Sequence, residues 1–425
     1  MPFMQRWRER ILLVSGGIVA GIIVAESILA ILGISSPNFY RPDRHTGTAL
    51  RPGAEGWYGK EGGSYVRINK DRLRDRDHEV AKPADTLRIA VLGDSFSEAF
   101  QIPPADAFWS VMERDLQMNS RLRGRRVEVI NFGVSGFGTG LEFITLCHRV
   151  WKYSPDVILL AFYTGNDVSD NTFALSNEDR TPYFVHRGQD LVLDDSYLEW
   201  YRSRQGPVAK LYYWLLNHSR LLRLIKEARY SVDQKVRFGH QAEIVARNGL
   251  GEIGLSDMIY LEPKDPLWVE GWEITEELLV RMQEEIVKRH ALFLVATLSN
   301  SIQVHPDRGV REKFMTRIGA SDLFYPERRI SKLGNLHGFA VLNLAPVLQD
   351  YAEMNGVCLH GFGAEVGKGH WNREGHRLAG QIIAEWVGRN LPSEAVPVTG
   401  EPAGSRPVVG AERDELQRGA EGSPR

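Results

Sequence analysis

The sequence has few cysteines and no excess of charge of either sign, and both features exclude classes of protein. Its 425 residues include two cysteines, Cys147 and Cys358, too few for a disulfide framework or a thiolate zinc cluster. Lysine and arginine together number 52, and aspartate and glutamate 54, so the net charge of -2 gives no argument for nucleic-acid binding. The histidines show no metal-ligand spacing. We therefore expect no metal, no cofactor and no nucleic-acid partner.

Long uncharged stretches are also rare, and the exception lies at the N-terminus. Three arginines among the first ten residues precede Ile11 to Ile34, a stretch of 24 residues whose only charge is Glu26. At about 1.5 Å per residue this stretch is long enough to cross the hydrocarbon core of a bilayer. A cleaved signal peptide is the alternative, although Ala25-Glu26-Ser27 is a poor cleavage site. A charge within a span is costly, and it indicates a partner such as another helix.

These features predict residues 1–35 to be a cytoplasmic stub and a transmembrane anchor. Because arginines precede the span and no second span follows it, the chain after Ser35 is expected outside the cytoplasm, on the periplasmic side. The protein is thus predicted to be a single-pass protein of the cytoplasmic membrane, with the membrane as a partner.

The rest of the chain divides by pattern into a connector, a large domain and a tail. Residues 36–85 are rich in glycine, proline, arginine and aspartate, which predicts an extended connector on the domain surface with no evident chemistry. Residues 392–425 have few large apolar residues and are predicted to be disordered. Between them, in 86–391, short apolar runs alternate with helix-like stretches. The runs are Leu87–Leu92, Val127–Phe132, Val157–Phe162, Ala291–Leu298 and Phe339–Leu344.

This alternation predicts an α/β fold with a parallel five-stranded sheet covered by helices on both faces, a three-layer α/β/α sandwich. Residues 171–270, approximately, break the alternation and are predicted to form a helical insertion. Within it, the segment from Tyr201 to Tyr230 is basic and aromatic. Such a segment could lie on anionic lipid headgroups, or it could form a helical cap on the sheet with a solvated basic face.

Four short motifs carry the chemistry, and three of them follow predicted strands. Gly93-Asp94-Ser95 ends the first strand, where a serine can expose its hydroxyl and offer its own N–H to an oxyanion. A glycine-rich turn containing Gly136 ends the second strand, and Asn166 follows the third with a side-chain amide. Near the C-terminus, His370 precedes a final amphipathic helix and can act as a base.

At these four blocks the sequence resembles the SGNH/GDSL hydrolase family. The Asn-x-Asp-x-Leu-Arg-Asp segment at Asn69 to Asp75, together with the preceding anchor, resembles a membrane-tethered bacterial branch of that family. The resemblance implies a flavodoxin-like three-layer fold and an activity on ester bonds. It also implies Ser95 as nucleophile, His370 as base, and an oxyanion hole formed by Gly136, Asn166 and the Ser95 amide. The motifs span Leu87 to Val387, while the insertion matches nothing in the family pattern.

The sequence departs from that family at the acid of the catalytic triad. The family usually has an aspartate two or three residues before the histidine, but Lys368 and Gly367 occupy those positions. Glu365 is the nearest carboxylate in sequence and is a possible acid. A backbone carbonyl or a residue from elsewhere in the chain could hold the ring instead. We expect His370 to work without a carboxylate from its own motif, in effect as a Ser-His dyad. His376 is an alternative base, although its position suits helix capping better.

We therefore predict a serine ester hydrolase of the esterase, lipase or carbohydrate O-deacetylase type, which forms an acyl-enzyme at Ser95 on an acyl-ester substrate, glycan or lipid. Two alternatives remain open. The enzyme could be an O-acyltransferase that passes the acyl group to an envelope polysaccharide. The chain could instead be a non-catalytic scaffold that binds glycan. Only the missing aspartate supports this alternative.

Overall fold

The computed structural model of the protein describes residues 2–34, 37–122, 124–248 and 255–392. The strands in these ranges are β1 (Tyr40–Asp43), β2 (Gly47–Leu50), β3 (Glu55–Tyr58), β4 (Ser64–Arg67), β5 (Thr86–Gly93), β6 (Arg126–Asn131), β7 (Val157–Tyr163), β8 (Tyr183–Arg187), β9 (Asp190–Asp194), β10 (Leu292–Leu298) and β11 (Ala340–Asn343). The helices are α1 (Pro2–Ile31), α2 (Ser95–Glu98), α3 (Phe108–Gln117), α4 (Thr139–Thr145), α5 (Phe173–Ser176), α6 (Leu198–Ser203), α7 (Pro207–His218), α8 (Arg220–Asn248), α9 (Pro266–Lys288), α10 (Arg308–Ile318), α11 (Tyr325–His337), α12 (Leu344–Asn355) and α13 (Arg373–Asn390).

The central sheet has five parallel strands in the order β11-β10-β7-β5-β6. Numbered along the chain, this is the flavodoxin-like order 2-1-3-4-5, in which ligands bind where the order reverses, between the first and third strands. Those two strands are β5 and β7, which pair directly from Ile89–Val157 to Gly93–Ala161. The predicted α/β fold with a parallel five-stranded sheet is confirmed.

Complete burial explains why these strands form where the apolar runs predicted them. Every residue of β5 and of β7 is buried, as expected for strands covered on both faces. Helix α13 contacts α3 and α12 in one layer, while α9 contacts α4 and α11 in a second. The predicted apolar stripe of α9 faces the core, since Ile274, Leu278, Met282 and Ile286 are all buried.

The connector is not the extended segment that its composition predicted. It forms two antiparallel hairpins, β1–β2 and β3–β4, on the surface of the domain. Leu50, Val66 and Ile68 are buried in a cluster with Phe100 and Val134 of the domain. This cluster anchors the hairpins, so the turn between β3 and β4 has a fixed position.

The insertion contains a β8–β9 hairpin and the helices α6, α7 and α8. Its helical part agrees with the prediction, whereas the hairpin was not anticipated. The predicted disordered tail, residues 392–425, lies outside the described residues from 393 onward.

Helix α1 contains the predicted membrane span. From Arg6 to Ile31 it is long and apolar enough to cross a bilayer, by length and composition, and its residues are not buried in the domain. Glu26 has the helical partner that its position in the span indicated. Its carboxylate accepts hydrogen bonds from the Arg220 and Leu221 N–H groups at the start of α8, at 2.9 and 3.0 Å.

Candidate active site

Ser95 lies at the carboxyl end of β5, in the turn that starts α2. The Asp94 side chain caps this helix by accepting a hydrogen bond from the Phe96 N–H at 2.9 Å. The Ser95 hydroxyl is within 3.4 Å of Asp94 Oδ2. Ser95 itself is partly exposed while its neighbours Asp94 and Phe96 are buried, so the hydroxyl is held at the surface by a rigid turn.

His370 faces this hydroxyl from the loop before α13. Its Nε2 lies 2.8 Å from Ser95 Oγ, within the reach expected of a base and its nucleophile. The loop is fixed by the hydrogen bond from the Gly361 N–H to the His370 carbonyl, at 2.8 Å. The structure therefore brings together Ser95 and His370, which the sequence motifs singled out from opposite ends of the domain.

The other ring nitrogen of His370 contacts a carboxylate that the sequence motifs did not indicate. Glu61 Oε2 lies 2.5 Å from His370 Nδ1, and Glu61 Oε1 accepts the His370 backbone N–H at 2.8 Å. Gly369, at φ +75°, allows this approach, because a Cβ there would lie 2.3 Å from Glu61 Oε1. Glu61, His370 and Ser95 are thus arranged like a catalytic triad and not like the expected Ser-His dyad, because the turn between β3 and β4 brings a carboxylate to Nδ1.

Glu365, the possible acid named from the sequence, does not occupy this place. Its side chain is 73% exposed, and its charged neighbour is Lys368 at 4.0 Å. Glu61 reaches His370 because two hydrogen bonds hold its turn, between β3 and β4, beside the chain that follows Ser95. The Gly63 N–H donates to the Gln101 carbonyl at 3.0 Å, and the Ser64 hydroxyl donates to the Phe100 carbonyl at 2.8 Å.

The charges at the site favour an ionised Glu61. Partial burial raises the pKa of the Glu61 carboxyl, but the hydrogen bonds and charge of His370 outweigh it and hold the pKa below its usual range. At Asp94, which is fully buried, burial outweighs the charge of His370 and the hydrogen bonds from Phe96 and Ser95, and it raises the pKa to about 6. Burial also raises the pKa of Glu142 and Asp167, two fully buried carboxyls, well above the usual range. The carboxylate most ready to carry charge beside His370 is therefore Glu61.

The two other predicted oxyanion donors follow the strands on either side of β5. Gly136 lies in the turn after β6, exposed and at φ +76°, where a side chain would be strained. Asn166 follows β7, and its Nδ2 donates to Asp170 Oδ2 at 3.0 Å. Since β6, β5 and β7 are adjacent and parallel, Gly136, Ser95 and Asn166 share one edge of the sheet.

A second histidine, not singled out in the sequence, supports the loop of His370. His360 is buried, with Nδ1 2.6 Å from the Gly369 carbonyl and Nε2 3.1 Å from Ser299 Oγ. The same Ser299 hydroxyl accepts the Trp371 indole N–H at 2.9 Å. Burial lowers the pKa of His360 to about 4, so this network holds a neutral ring. Trp371 is thereby a core residue.

His376 is not positioned as a base. It is buried, and its Nδ1 accepts the Phe108 N–H at 3.3 Å. Capping of α13 falls to Asn372, whose Oδ1 accepts the Glu374 and Gly375 N–H groups. In the described part of the chain, no group of three or more histidine, cysteine, aspartate or glutamate side chains is arranged to hold a metal ion.

No family model and no curated protein matches the sequence. Solved structures do match, and they include a lipolytic protein of the G-D-S-L family from Desulfitobacterium hafniense DCB-2, 14% identical over 70% of this chain and 98% of its own, with a TM-score of 0.33. A lipase/acylhydrolase from Enterococcus faecalis is 15% identical over 72% of this chain and 98% of its own, with a TM-score of 0.34. An acetyl xylan esterase is 12% identical over 71% and 98%, with a TM-score of 0.36. The name of the first of these structures contains the family that the four motifs resemble, and the identities and TM-scores are too low to indicate residue roles or a substrate.

Proposed function

We propose that this chain is a serine ester hydrolase with a Ser95–His370–Glu61 triad. The observation that carries the proposal is the continuous hydrogen-bonded path from Glu61 through both nitrogens of His370 to the Ser95 hydroxyl. The non-catalytic scaffold was supported only by the missing acid of the histidine motif. Glu61 fills that position from another part of the chain, so this support is lost.

In the proposed reaction, Ser95 Oγ attacks the acyl carbonyl carbon while His370 Nε2 removes the hydroxyl proton. Glu61 accepts the Nδ1 hydrogen bond, which fixes the tautomer that leaves Nε2 free and stabilises the charged ring. The Ser95 and Gly136 N–H groups and the Asn166 amide stabilise the oxyanion. His370 then returns the proton to the leaving alcohol, and water, activated by the same ring, releases the acid.

The proposal includes the location of the reaction. Helix α1 serves as a membrane anchor and is retained in the mature protein, because Glu26 on α1 caps α8 of the folded domain. The catalytic domain then lies on the extracytoplasmic side, where acyl esters of envelope glycans and of lipids are the available substrate classes.

This proposal can be tested by measuring hydrolysis by the full chain in detergent. The substrates are short-chain and long-chain acyl esters and acetylated glycans. We expect turnover of at least one ester class, and none by Ser95→Ala of equal thermal stability. Adding a sugar acceptor distinguishes hydrolysis from transfer, because in a transferase the sugar hydroxyl would attack the acyl-enzyme in place of water, so that acylated sugar forms instead of part of the free acid. Equal rates for the wild type and Ser95→Ala would refute the proposed nucleophile.

A further inference from the structure

Helix α7 presents an apolar stripe that the described residues of the domain leave exposed. Val208, Leu211, Tyr212 and Leu215 recur at the i, i+3, i+4, i+7 spacing of one helical face and are 81, 56, 47 and 40% exposed. The face that packs inward is a different one, because Leu216 is buried and Tyr213 is partly buried. A helix with separate inward and outward apolar faces needs a second partner for the outward one.

Contacts of α7 and α8 place this stripe beside the membrane anchor. Ser219, the residue between the two helices, donates its hydroxyl hydrogen bond to Glu26 of α1, at 2.5 Å. The Arg220 guanidinium donates to the Ile34 carbonyl just after α1, at 3.0 Å. At the same end of α7, Asn217 accepts the Asn38 side-chain amide at 3.0 Å. The orientation of α7 relative to α1 is therefore fixed by polar contacts on both sides of the junction.

The distance of the α7–α8 junction from the end of α1 agrees with the depth at which amphipathic helices lie in a membrane interface. Glu26 lies five residues before Ile31, the last residue of α1, which is about 7 to 8 Å along the axis at 1.5 Å per residue. Amphipathic helices in a membrane interface bury their apolar face about 5 to 10 Å below the headgroups. If α1 spans the bilayer up to its end, the α7–α8 junction is level with the upper acyl chains.

The side chains around the stripe suit that level as well. Trp214 and Tyr212, both exposed, belong to the residue types that concentrate at membrane interfaces. Lys210 is exposed on α7, and Arg220 and Arg223 follow at the start of α8, where cations attract anionic headgroups. Apolar, aromatic and basic side chains thus coincide on the part of the domain that is fixed to the anchor.

We propose that the apolar stripe of α7 inserts into the outer leaflet of the bilayer that α1 crosses, so that the domain is held against the membrane at a second point. The inference rests on the anchoring part of the proposed function and is independent of the ester chemistry. It selects the first of the two interpretations of the basic, aromatic segment, with the polar contacts of the junction deciding between them.

Fluorescence quenching by lipid tests this directly in the full chain, reconstituted as one copy per nanodisc. Both free cysteines, Cys147 and Cys358, are replaced by serine, and a polarity-sensitive dye is attached to a new cysteine. Leu211→Cys reports on the stripe, and Val208→Cys repeats the measurement in case the first variant does not fold. Leu336→Cys, 75% exposed on α11, is the solvent control, and Ile22→Cys in α1 is the membrane control.

We expect blue-shifted emission at Leu211 and Ile22, with quenching at Leu211 by lipids brominated near the top of their acyl chains and at Ile22 by lipids brominated deeper in the chains. Neither effect is expected at Leu336. Quenching at Ile22 without quenching at Leu211 or Val208 would overturn the inference and leave the anchor intact. A blue shift at Leu211 that brominated lipid does not quench would mean that protein covers the stripe, which also overturns it. Absence of quenching at Ile22 would refute the anchor itself, and the inference with it.

Discussion

Replacement of Glu61 by glutamine should impair catalysis more than its replacement by alanine, for a reason that the geometry supplies. Glu61 Oε1 accepts the backbone N–H of His370, and Glu61 Oε2 faces Nδ1 of the ring. The backbone N–H can only donate, so in Glu61→Gln the amide oxygen must turn toward it. The glutamine NH₂ group then faces Nδ1 and forces the ring proton onto Nε2, where it points at Ser95 and blocks proton removal.

A wrong tautomer of this kind costs about 10⁴-fold in serine-protease triads, or about 5 kcal/mol in the barrier. We expect a loss of kcat of that size for Glu61→Gln. Glu61→Ala leaves Nδ1 open to water and both tautomers accessible, so its loss should be smaller. Glu365→Gln, a change of the same chemistry on an exposed carboxylate, is the matched control and should alter kcat less than about tenfold.

The assay is steady-state hydrolysis of an activated ester, with thermal unfolding of each variant as the test of folding. Glu61→Gln within tenfold of the wild type would refute the triad, and so would an alanine variant slower than the glutamine variant. A large loss in Glu365→Gln with unchanged folding would return the acid to the histidine motif.

Three further predictions concern the surroundings of the triad. Asn166→Ala should lower kcat about 10²- to 10³-fold, the scale of one oxyanion donor, and an unchanged kcat would remove Asn166 from the site. Burial raises the pKa of Glu98 from 4.5 to about 7, so the folded state keeps a proton that the unfolded state releases, and stability falls as pH rises through that window. Glu98→Gln should remove up to about 3 kcal/mol of this loss in the free energy of unfolding, measured by urea unfolding below and above the two pKa values. The same pH dependence in the variant and the wild type would contradict this prediction. Lys60, next to the triad acid in sequence, forms a salt bridge with Glu227 of α8 at 2.7 Å. Lys60→Met and Glu227→Gln should therefore each lower kcat by up to about fivefold, and the double variant should lower it no further than either single variant. Additive losses would mean that the two residues act separately.

The sheet could be predicted from the sequence because buried parallel strands produce continuous apolar runs. The run Val157–Phe162, for example, corresponds to the strand Val157–Tyr163. Ser95, Gly136 and Asn166 were identifiable for the related reason that they directly follow such runs. In a parallel sheet, side chains that follow adjacent strands must meet at one edge.

Glu61 could not be predicted in this way, because it lies between strands too short to show a period. In β4, Ser64 and Val66 are buried while Tyr65 and Arg67 are exposed, an alternation of only four residues. Its contact with His370 depends on the packing of the hairpin on Phe100 and its neighbours, which is a long-range property. One local signal existed, since Gly369 beside the histidine indicates the close approach of another group.

The composition of α7 also did not show whether the helix covers the sheet or lies on the membrane. Basic and aromatic residues suit both a solvated cap and a membrane interface. The hydrogen bonds from the α7–α8 junction to Glu26 and to the Ile34 carbonyl relate the helix to the anchor.

Ser95 is proposed to be a nucleophile activated by His370, and mass spectrometry after treatment with a fluorophosphonate examines that activation without the need for a known substrate. We predict one adduct per chain, on the peptide that contains Ser95, absent in Ser95→Ala and formed far more slowly in His370→Ala. Folded wild-type protein that gains no adduct, or gains it on another residue, would contradict the account.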